Sequence, residues 1–202
     1  MITVVGLGSL GSKTVIALLK LGIKQLQIVD FDIVEAKNIG SQILYDESQV
    51  GLNKTLAAKQ TISQKFPEVK IIEFQSKFEL NSDLGLFKFS ELLLDCTDNL
   101  QTRLDIDMVA FTAKKPWIYA GIKGNAGQVM FFDYKNLNLN NPQFKTVFGS
   151  FISGVEAVNN PETTTQIAQI QAELAIEYLA YGQIKSSNLV IVKPGKVLRL
   201  RV

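Results

Sequence analysis

Ile2-Thr3-Val4-Val5-Gly6-Leu7-Gly8-Ser9-Leu10-Gly11 stands at the start of the chain, and its reading decides the fold. Ile2–Val5 is a short, β-branched, apolar run of the kind that forms a buried parallel strand. Gly6, Gly8 and Gly11 follow at the spacing G-x-G-x-x-G. Ser12–Leu21 then reads as a helix, with Val15, Leu18 and Leu19 in helical spacing and Gly22 just beyond its end. Leu26–Val29 is a second strand, closed by Asp30.

A strand, a glycine turn, a helix and a second strand open a Rossmann-like fold. The pattern continues along the chain. Phe31–Val50 lacks periodicity and reads mostly as loop. Asn53–Phe66 reads as a helix stopped by Pro67, and Val69–Phe74 as a third strand. Glu91–Leu94 reads as a fourth. Thr97 or Asp98 is placed to cap the helix that runs to about Ala113. Trp117–Gly121 and Gly127–Tyr134 read as strands, and 135–160 as one long loop. Pro161–Tyr181 is a helix with proline in its first turn and Gly182 after its end. Asn188–Val192 and Val197–Val202 flank a Pro194-Gly195 turn. The expectation is a single α/β domain over 1–202, doubly wound. Its sheet is mostly parallel, with antiparallel C-terminal strands.

Composition excludes several chemistries. Of 202 residues, 21 are Lys or Arg and 19 Asp or Glu, a net charge of +2. That balance argues against a protein built for phosphate backbones or acidic membranes. No histidine is present, which removes Ser-His-Asp and Cys-His catalysis and His-ligated metals. The single cysteine, Cys96, allows no internal disulfide and no cysteine-cage zinc site. No run approaches the ~18 apolar residues of a membrane span. No basic stretch precedes the apolar Met1–Val5 as in a signal peptide. The expectation is a soluble, cytoplasmic protein.

Each glycine of the loop has a separate task. Gly6 permits the tight turn, Gly8 lets the backbone approach a ligand, and Gly11 lets helix pack on strand. The helix start, with Ser9 and Leu10, presents free N–H groups and positive dipole to an anion. Asp30 stands nineteen residues after Gly11, where a carboxylate accepts hydrogen bonds from ribose hydroxyls. The alternative for Asp30 is a strand-end residue capping a turn. On these features alone, NAD and ATP are equally good ligands.

Further residues separate them. Val29-Asp30-Phe31-Asp32, Asn38, Gln42-Ile43-Leu44, Val50-Gly51, Lys54, Asp95-Cys96-Thr97-Asp98-Asn99, Thr102-Arg103 and Gly127-Gln128-Val129 occur in this order. In that combination the chain resembles the ThiF/MoeB/HesA family, the E1-like enzymes that adenylate the C-terminus of sulfur carriers and ubiquitin-like proteins. The resemblance runs from about Val4 to Phe132 and resumes in Pro161–Tyr181. It implies ATP and Mg2+ as cofactors, with no zinc. It implies that Gly6, Gly8, Ser9, Leu10, Gly11, Asp30, Asp32, Asn38, Gln42, Lys54 and Asp98 bind the nucleotide. Asp30 would hold the ribose, and Asn38 and Lys54 the phosphates. Asp98 would hold Mg2+ beside the attacking carboxylate. Lys54 and Asp98 are the candidate catalytic residues. Against these roles stand plainer ones: Lys54 as a solvated first-turn lysine, and Asp98 as a helix cap.

The sequence departs from the family's pattern in three places. Where the family has Asn-x-x-Arg-Gln, this chain has Asn38-Ile39-Gly40-Ser41-Gln42, and Ser41 brings no charge. Lys13 and Lys37 are the cations whose sequence positions offer a substitute. The first strand begins at residue 2, and the expectation is that the arginine family members send to a partner's ATP has no counterpart in this sequence. The zinc-binding Cys-x-x-Cys pairs and the loop thiol are missing, and Cys96, after Leu92–Leu94, reads as a buried packing residue. Lys123 and Asn125 are candidates to line the channel for a partner's C-terminal tail. The Ile167, Ile170, Leu174, Ile176, Leu179 stripe reads as core.

The leading expectation is ATP-dependent adenylation of the C-terminal carboxylate of a small ubiquitin-fold or sulfur-carrier protein, by a homodimer without nucleic-acid or membrane partners. The second is a non-catalytic nucleotide-binding or interaction subunit of the same family that needs a partner chain. The third is an NAD-dependent oxidoreductase.

Overall fold

In a computed structural model, the chain is described over residues 1–79, 89–135, 143–148 and 160–201. The elements are β1 (Ile2–Val5), α1 (Ser9–Lys20), β2 (Gln25–Val29), α2 (Lys54–Lys65), β3 (Lys70–Phe74), β4 (Leu92–Asp95), α3 (Leu100–Thr112), β5 (Trp117–Lys123), β6 (Ala126–Phe132), α4 (Phe144–Phe148), α5 (Pro161–Tyr181), β7 (Leu189–Lys193) and β8 (Lys196–Leu200). Two short 3-10 turns, Ala36–Asn38 and Glu47–Gln49, punctuate the segment read as loop.

The strands form one sheet in the order β3-β2-β1-β4-β5-β6-β7-β8. β3 through β5 run parallel, and β6, β7 and β8 follow as antiparallel neighbours. The order reverses between β1 and β4, and open α/β sheets bind ligands at such a point. β1, β2 and β4 are covered on both sides, which is why they read as unbroken apolar runs.

Successive side chains of one strand feed two cores. Val4 joins the core under α1, α2 and α5, and Val5 the core on the opposite face with residues of α3 and α4. The second core is aromatic. Trp117 stacks on Phe132 at 4.8 Å between ring centres, and Phe144 of α4 packs against Tyr119 at 5.1 Å. Among the described residues, no helix is long and apolar enough to cross a membrane.

Beyond shifts of one or two residues at element ends, three features differ from the sequence reading. α1 begins at Ser9 rather than Ser12, because the last glycine of the motif already lies in the helix. The segment expected to be a long loop holds α4, whose Phe144 and Phe148 are drawn into the aromatic core. Residues 136–142 and 149–159 of that segment lie outside the described residues. The cap of α3 is neither Thr97 nor Asp98. Asn99 Oδ1 accepts from Thr102 N at 2.8 Å, while the Thr97 amide and hydroxyl both donate to Asp95 Oδ1. The β4 carboxylate binds Thr97 first, and this moves the helix start one residue on.

Asn99→Ala is therefore expected to destabilise the fold by about 1 kcal/mol. Asp98→Ala, at an exposed position outside the cap, should stay within about 0.5 kcal/mol of the parent. Denaturant unfolding of the two variants checks this.

Candidate functional site

A cavity of about 380 Å³ opens above the C-terminal ends of β1, β2, β3 and β4 and reaches Ala120 and Ile122 of β5. Its floor is the glycine turn. Gly6 takes φ +89°, and a Cβ there would sit 2.9 Å from the Cys96 carbonyl oxygen. A Cβ on Gly11 would come within 1.9 Å of the Gly6 carbonyl oxygen, so helix and turn touch backbone to backbone. A Cβ on Gly8 would meet nothing within 4 Å. Gly8 is also the N-cap of α1 and offers no side-chain hydrogen bond to it. The first amides of α1 and its positive dipole end thus stand at the cavity.

The β2 exit supplies the carboxylates. Asp30 is buried, and its oxygens accept from Leu7 N at 2.6 Å and Asp32 N at 2.8 Å. The strand-end role and an open lone pair for a ligand therefore coexist in one side chain. Burial pushes the Asp30 carboxyl above its ordinary range, while the two amides and Lys54 pull the other way. Tyr45 Oη donates to the Leu7 carbonyl at 3.0 Å, fixing the glycine turn from the opposite side.

Lys54 opens α2, and its side chain is only 7% exposed, so it is not a solvated lysine. Its Nζ donates to Asp32 Oδ2 at 3.0 Å, and both residues line the cavity. Asp98 is exposed on the opposite wall and has no hydrogen bond or ion pair among the described residues. Gln42 also lines the wall, with its buried Oε1 left without a hydrogen-bond donor among the described residues.

The structure thus brings Gly6, Gly8, Ser9, Leu10, Asp30, Asp32, Gln42, Lys54 and Asp98 to one cavity. Gly11 and Asn38 stand off its wall. Gly11 acts through the helix contact, and Asn38 is buried with Oδ1 accepting from Glu35 N at 2.9 Å. Neither cation suggested as a substitute for arginine lines the cavity: Lys13 Nζ donates to the Pro161 carbonyl at 3.1 Å, and Lys37 pairs with Glu35. The Ser41 hydroxyl turns back to the Asn38 carbonyl. Lys123 and Asn125 are exposed at the β5–β6 turn and are also off the wall.

Sequence reasoning left out part of the wall. Ser76, Lys77 and Phe78 line it after β3, with the exposed Phe31 beside them. No motif marks these residues; only the β2–β3 pairing delivers them. Arg103, noted in sequence only as part of a string, reaches the cavity from α3. Its Nη2 donates to the Thr97 carbonyl at 2.6 Å, and the guanidinium lies 5.2 Å from the Tyr119 ring centre. Its Nε is 3.3 Å from the fully buried Asp95 Oδ2, close as charges but not aligned for a hydrogen bond. Burial raises the Asp95 carboxyl and Arg103 opposes that shift.

Cys96 lines the cavity but is buried, and its Sγ donates to Gln171 Oε1 at 3.2 Å. Burial pushes the thiol far above its ordinary range, as expected of an inert structural cysteine. Among the described residues no group of three or more acidic, Cys or His side chains forms a metal cage. Mg2+ on a nucleotide needs only about one or two carboxylates beside the phosphates. The unpaired Asp98 fits that smaller requirement.

A profile described as the ThiF family matches residues 1–191. A molybdopterin-synthase adenylyltransferase of Salmonella typhimurium is 31% identical over 195 residues, covering 94% of this chain and 77% of that protein. The adenylyltransferase and sulfurtransferase UBA4 of Saccharomyces cerevisiae is 32% identical over 136 residues, covering 67% of this chain but 31% of that protein. In fold, E. coli MccB solved with ATP superposes with a TM-score of 0.81 at 16% identity, covering 99% of this chain and 63% of MccB.

Gly11→Ala should lower stability by about 3 kcal/mol or more, because backbone must move to admit the methyl group. Gly8→Ala should leave the unfolding midpoint nearly unchanged. Arg103→Ala should cost about 3–5 kcal/mol by stranding the buried Asp95. Thermal and urea unfolding of the three variants tests this ranking.

Proposed function

The chain belongs to the ThiF family, and on that premise we propose that it adenylates, with ATP, the C-terminal carboxylate of a small ubiquitin-fold or sulfur-carrier protein. The observation that carries the reading is the meeting of the α1 N-terminus, Asp30, Lys54 and Asp98 on one cavity. The first binds phosphate, the second ribose, and the last two flank the reacting groups.

In this reaction a carboxylate oxygen of the carrier attacks the α-phosphorus. A new C–O–P linkage forms, the bond to the β-phosphate breaks, and pyrophosphate leaves with the electron pair. No proton transfer is required, which suits a chain without histidine. The difficulty is electrostatic, since one anion approaches another and charge grows on the leaving group. Donors and dipoles already aimed at the phosphates lower that barrier. The α1 amides supply them without reorganisation. Lys54 enters held by Asp32 and can exchange that partner for a phosphate. Asp30, anchored by two amides, fixes the ribose and with it the α-phosphorus. Mg2+, held by Asp98 when the nucleotide is bound, would neutralise phosphate charge as a Lewis acid. The fold would act in the cytoplasm as a homodimer, with a single domain serving each site.

A second reading has its own observation. Position 41 faces the Asn38 carbonyl and adds no charge to the cavity. That favours a subunit whose site is completed by a cation from another chain.

Calorimetry with ATP, with and without Mg2+, is the direct test. ATP should bind in a Mg2+-dependent manner, and Asp98→Ala should lose about tenfold or more in affinity, ~1.4 kcal/mol. Gly8→Ala should weaken ATP similarly while keeping its fold. Carrier-dependent ATP–pyrophosphate exchange then separates an enzyme from a binding subunit. Binding of NAD in place of ATP would overturn the reading.

A further inference from the structure

β8 ends the sheet on the side away from β3, and among the described residues no strand lies beyond it. Its outer row of N–H and C=O groups is therefore an open template for another strand. Cross-strand partners share a face of the sheet. The pairs Leu189↔Leu200 and Ile191↔Leu198 put four aliphatic side chains on one face. The pairs Val190↔Arg199 and Val192↔Val197 occupy the other, where Val190 and Val192 are buried and Arg199 lies 3.8 Å from Glu173 of α5. On the aliphatic face Leu200 remains 41% exposed, and Leu198, Leu189 and Ile191 are only partly covered.

Charge is concentrated at the same place. Lys185, Lys193, Lys196, Arg199 and Arg201 fall within 184–201, where no acidic residue occurs. The remaining sixteen basic residues stand against nineteen acidic ones, a balance of −3 for a chain whose total is +2. Among the described residues Lys193, Lys196 and Arg201 make no ion pair. Cations on an edge strand commonly serve to repel other strands. Here the repulsion is selective. Antiparallel pairing of β8 with a second β8 would set basic residues against one another with no acid between them, and like charges directly opposite are destabilising. An acidic strand meets the reverse situation.

We propose that the outer edge of β8 docks an extended acidic segment of another protein, which lengthens the sheet by one strand. Main-chain hydrogen bonds to β8 hold it. Its residues alternate, carboxylates toward Arg199 on the α5 face, with Arg201 just beyond the strand, and aliphatic side chains toward Leu198 and Leu200 on the other, where a further carboxylate meets Lys196 of the Lys193↔Lys196 pair. The partner is thus an acidic β-strand with period-two apolar positions. This surface is separate from the nucleotide cavity, and its test does not depend on the adenylation reading.

The probe is a fluorescent peptide of about eight residues, the length of a modest strand, alternating Glu and Val. Its anisotropy is followed on titration with the full chain. Saturable binding is expected, weakened about tenfold or more by salt, by replacing Glu with Lys, and by N-methylating the amides of one peptide edge. The R199Q/R201E variant should lose the peptide to the same extent while its melting curve and ATP affinity stay those of the parent. No saturable binding overturns the proposal. So does equal binding of the N-methylated peptide, which would mean charge without strand pairing. Tighter binding of a single-stranded oligonucleotide, lost in the same variant, would reassign the surface to nucleic acid and overturn it too.

Discussion

The contact between Gly11 and the Gly6 carbonyl is the constraint on which the site depends. With 1.9 Å available to a Cβ, the position admits glycine alone. The contact seats the first turn of α1 directly on the turn that leaves β1. From that seat the uncapped helix end faces the crevice where the strand order reverses. Asp30 and Tyr45 then hold Leu7 by its amide and its carbonyl, so the glycine turn is gripped by two neighbours and its geometry is set before any ligand arrives. A preformed anion cradle is worth more to catalysis than a flexible one, because no reorganisation accompanies the growth of charge.

The opposite wall is tied in by one buried amide. Gln171 of α5 donates to the carbonyls of Asp95 and Ile118 and accepts from Thr14 and Cys96. It therefore joins α5 to α1, β5 and the end of β4 at a point where an unmet polar group would be costly. This explains why Cys96 belongs to the scaffold although it touches the cavity. The thiol is one donor in a satisfied network, and burial keeps its proton on.

The cavity's charges are mixed. Lys54, Lys77 and Arg103 stand against Asp30, Asp32 and Asp98. Each of the cations already has a carboxylate partner close by, Asp32 for Lys54, Glu79 for Lys77 and Asp95 for Arg103. A polyphosphate entering such a site competes with those partners, and the helix terminus adds a positive end that has no side-chain competitor. The neutral Ser41, off the wall, adds no charge to this balance.

Much of this was legible in the chain itself. The glycine spacing, the unbroken apolar strands and the proline and glycine at the ends of α5 determine the strand–turn–helix unit and most elements, because backbone conformation and burial act within a few residues. The glycine turn and Asp30 follow from the same local pattern and the family resemblance supplied the other candidates; nine of the eleven line the cavity. Most of what escaped depended on how the chain packs. Asn38, its oxygen bound within a 3-10 turn, stands off the cavity wall. Thr97 and Asp98 read as caps in sequence, but Asp95 takes Thr97 and Asn99 caps α3. Phe144 and Phe148 look like loop residues until Trp117 and Tyr119 offer them a core. Lys77, Arg103 and the open edge of β8 acquire meaning only when the sheet sets β3 beside β2, swings α3 over Tyr119 and leaves β8 without a neighbour. Sequence determined the local geometry; long-range packing chose which polar groups remained free to meet a ligand.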